Sequence, residues 1–152
     1  MSDDAGWNPE DASVSVGNGG LFGWPVLARI WQTVDVERTV DDLGIGGEAI
    51  EEDQVIGGKG VLVRPEDGVL VAILEPSTEG PLAESLARHG EGDAGVYVAP
   101  HGGLDEARRA GLTIYREAPG PFGRAALVRM QTGSQTAPFT IIVERPAATI
   151  GS

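Results

Sequence analysis

The sequence predicts an α+β fold built from two copies of a β-α-β-β-β module. Three observations carry this expectation. Strand-like runs, short capped helices and Gly/Pro turns follow one another in the same order twice. The last strand of each half carries the same chemistry, Val71-Ala72-Ile73-Leu74-Glu75-Pro76 against Thr140-Ile141-Ile142-Val143-Glu144-Arg145-Pro146. The 23 glycines and 10 prolines suit many short strands joined by tight turns.

Residues 1–21 are polar, acidic and Gly-rich, without a sustained period, and are expected to be a flexible arm with Trp7 as its one docking residue. Residues 22–152 are expected to form a single domain: module 1 over about 25–76, a linker over 77–92, and module 2 over about 93–146. Val26 to Val34 reads as the first strand. Asp35 can cap a helix from Val36 to Leu43, and Gly44 can end it. Glu48 to Gln54, Gly60 to Arg64 and Val69 to Leu74 read as strands, the last two joined through the turn signal Pro65-Glu66-Asp67-Gly68. The linker contains a helix from Pro81 to Arg88 with Pro in its first turn. Module 2 repeats the order. Ala94 to Ala99 reads as a strand, Leu104 to Ala110 as a helix, and Leu112 to Glu117, Arg124 to Met130 and Phe139 to Glu144 as strands.

Charge and composition exclude several functions. The net charge is -12, from 23 acidic and 11 basic residues, whereas nucleic acids and anionic membranes call for clustered Lys and Arg. Aromatic residues make up 5% of the chain, too few for base stacking. No apolar run approaches the roughly 20 residues of a spanning helix. The start, Met1-Ser2-Asp3-Asp4, lacks the basic and apolar regions of a signal peptide, and there is no Cys, so a cytoplasmic protein is expected. Lys59 is the single lysine, a bias of GC-rich bacterial coding. Gly57-Gly58-Lys59-Gly60 lacks the spacing and hydroxyl of a phosphate loop, and no Gly-x-Ser-x-Gly elbow is present. The acid cluster Glu51-Glu52-Asp53 reads as a solvated strand edge.

Two such modules, with the linker Leu74-Glu75-Pro76 followed by Pro81 to Gly92 and its turn His89-Gly90-Glu91-Gly92, resemble the vicinal oxygen chelate superfamily, in particular its methylmalonyl-CoA epimerase branch. The resemblance covers most of Val26 to Pro146. It implies a cupped, partly closed mixed sheet around a small-molecule cavity. It also implies a divalent metal held by His or Glu on the inward face of each module's first and last strands, which would stabilise an enolate-like intermediate. Mapped onto this chain, the four ligand positions fall on Ala28, Ala72, Gly95 and either Ile141 or Glu144. Three of the four carry no ligand atom. The two histidines, His89 and His101, lie outside the ligand strands and read as solvated. No metal and no other cofactor is therefore expected.

Strand alternation then indicates which side chains see the cavity. With Ala28 inward, Ile30 and Gln32 are inward too; Leu74 accompanies Ala72, and Tyr97 accompanies Gly95. The expected lining is roomy and apolar, with Gln32 and Tyr97 as the polar, catalytic candidates. Trp31 joins the substrate-binding set after a one-residue slip, and Tyr115, Arg129 and Glu144 complete it from module 2. Trp24 and Met130 read as core or dimer contacts. Three functions follow. One is a metal-independent isomerase or cyclase acting on a hydrophobic carbonyl-bearing molecule, a role suited to bacterial specialised metabolism. Another is a non-catalytic binding or resistance protein for an antibiotic or metabolite. The last is a metal-dependent epimerase or lyase. A homodimer is expected, and Tyr97→Phe is expected to impair turnover or ligand affinity while leaving the melting temperature nearly unchanged.

Overall fold

A computed structural model describes residues 24–66, 68–129 and 139–144. The expected arm with Trp7, Asp67 of the turn, Met130 and the last eight positions of the sequence lie outside the described residues.

The strands are β1 (Val26–Gln32), β2 (Gly47–Ala49), β3 (Gly58–Val63), β4 (Val71–Pro76), β5 (Gly92–Val98), β6 (Thr113–Gly120), β7 (Gly123–Arg129) and β8 (Phe139–Val143). They form one mixed sheet in the order β2-β3-β4-β1-β5-β8-β7-β6. The order mirrors itself about the centre. β1 pairs antiparallel with β5, and each pairs in parallel with the last strand of its own module, β4 or β8. The remaining pairs are antiparallel. This is the α+β arrangement of two β-α-β-β-β modules side by side in a curled sheet.

Helix α1 (Val36–Leu43) has the expected ends. Asp35 accepts the Arg38 N–H at 3.1 Å, and Gly44, at φ 71°, closes the helix onto Val40 and Asp41. Helix α2 (Pro81–His89) opens with the expected proline, and α3 (Gly103–Arg109) belongs to module 2. The outer face of the sheet is covered by α1 through Val36, Val63 and Ile73, and by α3 through Leu104, Ala107, Val96 and Ile142. Trp24 joins this second layer as a core residue and donates its indole N–H to Glu106 at 2.9 Å. The inner face gathers Ala28, Ile30, Ala72, Leu74, Tyr97, Leu127 and Ile141.

One strand differs from expectation. Glu48 to Gln54 was expected to be extended throughout, but β2 stops at Ala49. The chain then folds over the inner face as a strap, residues 50–57, and returns at the bridge between Asp53 and Gly58. In module 2 the corresponding β6–β7 connection is only the tight turn between Gly120 and Gly123.

Candidate functional site

At the centre of the inner face stands Tyr97, paired with Ala28 on one side and Ile141 on the other. Period-two alternation turns Ala28, Ile30 and Gln32 inward on β1, as expected. Among the described residues the roomy cavity expected around them is closed. Ala28, Ile30, Ala72 and Leu74 keep 0% of their surface, whereas residues lining a substrate-sized void would retain accessible area. Val55 and Ile56 of the strap and Leu82 of α2 pack into the same cluster and fill the cup. In this conformation those four residues are buried in the core. An open cleft of about 530 Å³ lies between Arg116 and the Glu79, Pro81, Ala83, Glu84 and Ala87 side of α2, and none of the expected site residues lines it.

Asp53 carries the arrangement, and sequence reasoning missed it. Glu51 and Glu52 are exposed as expected of a strand edge, but Asp53 is fully buried. One carboxylate oxygen accepts the backbone N–H groups of Val55 at 2.7 Å and Ile56 at 3.2 Å. The other accepts the Tyr97 hydroxyl at 2.5 Å. The signal was local: an Asp followed by Gln54, two apolar residues and Gly57 suits an Asx-type turn, in which the carboxylate faces the following amides. Module 2 and the linker hold the strap from outside. Arg116 donates to the Val55 carbonyl at 2.6 Å from a left-handed backbone (φ 61°), an unfavourable conformation for a residue with a Cβ. Leu82 N–H donates to Ile56 and Gln54 N–H to Pro119.

Burial pushes the Asp53 carboxyl above its ordinary range, against the hydrogen bonds from Tyr97, Ile56 and Val55 that favour the charged form. Burial, and then the adjacent Asp53, push the Tyr97 phenol well above its ordinary value, so it stays protonated. Phe122 stands edge-on to the Tyr97 ring with centroids 5.0 Å apart, completing an apolar surround. A carboxylate made more basic by desolvation beside a phenol that keeps its proton is a base–donor pair.

The other expected residues separate. Gln32 is buried at the far end of β1 and donates to the Gly90 carbonyl at 2.7 Å, away from Tyr97. Gly95, at φ 150°, has no room for a side chain, because a Cβ would stand 1.9 Å from the Phe139 carbonyl oxygen. It cannot contact a ligand through a side chain. Trp31 is 37% exposed on the outer face, since β1 keeps its alternation and the slip that would bring Trp31 inward does not occur. Tyr115 is on the edge strand β6, separated from β5 by β7 and β8, and Arg129 ends β7 opposite Thr113. Glu144 is not in the cup: its carboxylate accepts the Leu104 N–H at 2.7 Å, at the start of α3. His89 and His101 are exposed. The Glu91 of the linker turn also has a structural role. It accepts from Val34 N–H, Thr33 and Arg38, tying the linker to α1.

Solved structures share this fold. A variant of Streptomyces coelicolor methylmalonyl-CoA epimerase in complex with 2-nitronate-propionyl-CoA is 20% identical, with 82% of this chain and 99% of that one covered and a TM-score of 0.63. The Mycobacterium tuberculosis methylmalonyl-CoA epimerase is 16% identical, with 84% and 92% covered and a TM-score of 0.62. The chain has the vicinal oxygen chelate fold. A hypothetical protein of Bacillus halodurans shares it as well, at 16% identity, 80% and 94% coverage and a TM-score of 0.59. No protein-family model and no curated protein matches the chain. The metal that the vicinal oxygen chelate resemblance implies does not fit the residues present. Ala28, Ala72 and Ile141 offer no donor atom, Gly95 has no space for one, and Glu144 is taken up by α3. Among the described residues no three His, Asp or Glu side chains converge on a point where a metal ion could sit.

Proposed function

We propose that this protein moves a proton next to the carbonyl of a hydrophobic small molecule, an isomerase-type reaction run by Asp53 and Tyr97 without a metal. The observation that carries the reading is the buried hydrogen bond from Tyr97 to Asp53 at the centre of the cup. Asp53 takes a proton from the carbon beside the carbonyl, and the electron pair moves onto the carbonyl oxygen. The Tyr97 hydroxyl turns from Asp53 to that oxygen and stabilises the enolate. Losing the Tyr97 bond makes Asp53 more basic at the moment it is needed, and the proton then returns to carbon. Entry requires the Val55 and Ile56 side chains to leave the cup with each binding event, while Asp53 keeps its place beside Tyr97 through its bridge to Gly58. The reading carries with it a cytoplasmic homodimer of bacterial specialised metabolism, and light scattering at working concentration tests the dimer.

Incubating EDTA-treated protein with 2-undecanone in deuterium oxide, and following mass at the carbons beside the carbonyl, tests the chemistry. Wild type is expected to accelerate exchange, and Asp53→Asn, which keeps an acceptor oxygen for the Val55 and Ile56 N–H groups, to lose at least about 100-fold. No acceleration by wild type, or equal rates in Asp53→Asn, overturns the reading. A filled cup also favours a second reading, a non-catalytic binder whose strap folds over its ligand. Saturable binding of the ketone without exchange is its signature.

A further inference from the structure

Two buried side-chain atoms lack a hydrogen-bond partner among the described residues, the Gln32 Oε1 and the Ser85 Oγ. Gln32 is 1% exposed and Ser85 7%. They share one seam, between the end of β1 and the inner side of α2: the Gln32 amide N–H₂ points at the carbonyl oxygens of Gly90 and Ser85. Those two bonds fix which way the amide faces. The acceptor oxygen is left over. An unpaired acceptor and an unpaired hydroxyl in one closed seam are costly, and apolar side chains of similar size would avoid that cost.

We propose that this seam is a ligand subsite that takes a hydroxyl group, with Gln32 and Ser85 as its specificity-determining residues. A hydroxyl is the group that answers both orphans, donating to Gln32 Oε1 and accepting from Ser85 Oγ–H. The proposal rests on the reading above for the position of the carbonyl end. Tyr97 stands opposite Ala28, and Gln32 follows four residues along the same strand, about 13 Å further at the rise of a β-strand. The ligand therefore carries its hydroxyl at the far end of an apolar chain, roughly ten bonds from the carbonyl. The seam is closed in this conformation, and α2, whose Leu82 N–H holds Ile56 of the strap, moves with the strap when the ligand enters.

A matched pair of ketones tests the subsite, 11-hydroxyundecan-2-one against 2-undecanone, with calorimetry for binding and deuterium exchange for chemistry. Wild type is expected to bind the hydroxyketone at least about tenfold more tightly, a preference the size of one buried hydrogen bond. Ser85→Ala and Gln32→Met are expected to bring the ratio close to one. Ser85→Ala should keep or raise the melting temperature, which a merely structural serine would lower. Preferential binding without exchange upholds the subsite and removes the acid–base reading. Exchange of both ketones at equal affinity, or a preference that survives both variants, overturns the subsite alone. Binding of neither ketone overturns both.

Discussion

Glu75 and Glu144 hold the same position in the two modules, each closing its module's last strand and each accepting a backbone N–H at the start of its module's helix. Glu75 accepts from Val36 at 2.9 Å, and Glu144 from Leu104 at 2.7 Å. A carboxylate there answers an orphan amide and the positive end of the helix dipole. The recurrence marks these two acids as parts of the scaffold. Asp53 has no counterpart, because the strap exists in module 1 only. The proposed chemistry lies in what breaks the internal symmetry.

Removing either cap should cost about 1 kcal/mol, the usual loss for a helix N-terminal acceptor. Glu75→Ala and Glu144→Ala affect different helices, so the double variant should lose close to the sum. Chemical denaturation checks this, and a Glu144→Ala variant as stable as wild type would show that the Leu104 bond contributes nothing.

Tyr97→Phe should destabilise the protein by about 1–3 kcal/mol, because it leaves a buried carboxylate without one of its donors. This corrects the expectation, drawn from sequence, that the melting temperature would not move. The comparison with Asp53→Asn separates structure from chemistry, since the asparagine keeps its contacts to Val55 and Ile56.

The pH dependence of Asp53→Asn follows from the raised carboxyl. A folded-state value above the ordinary 3.8 means that Asp53 favours the fold at low pH and loses that contribution as pH rises through its folded value. Wild-type stability minus that of Asp53→Asn should therefore fall with rising pH, starting near pH 4. A flat difference across that window would mean that the carboxylate is as well solvated folded as unfolded.

Glu91 carries the opposite sign. Hydrogen bonds from Val34 and Thr33, and then Arg38, hold its carboxyl below the ordinary 4.5. Its contribution is present above that value and is lost as pH falls through the folded one. Glu91→Gln should melt at a lower temperature than wild type at pH 7, with the gap narrowing in acid.

Gly95→Ala should be severely damaging. The methyl group meets the Phe139 carbonyl at a distance no rotamer can relieve, and strands β5 and β8 would have to part. A loss above about 3 kcal/mol, or failure to fold, is expected.

The fold was legible because it is written in repeated local signals. Asp35 and Gly44 bound α1 as read, Pro81 opens α2, and the shared Glu of the closing strands reflects a shared cap. Inward alternation along β1 was equally readable. What fills the cup was not. Glu48 to Gln54 reads as one more strand with a solvated acidic edge, and although the local turn sets Asp53 against two amides, its burial depends on the tertiary contact with Tyr97. The absence of a side chain at 95 was plain in sequence, yet its cause, the passage of β8 within contact distance, belongs to the assembled sheet.

The most direct measurement is a carbon-13 titration of the Asp53 carboxyl by NMR, in wild type and in Tyr97→Phe. The buried base–donor pair predicts a wild-type midpoint above the ordinary 3.8, and a still higher one in Tyr97→Phe, where a bond favouring the charged form is gone. A midpoint at the ordinary value, unmoved by the substitution, would place Asp53 in water and contradict the account.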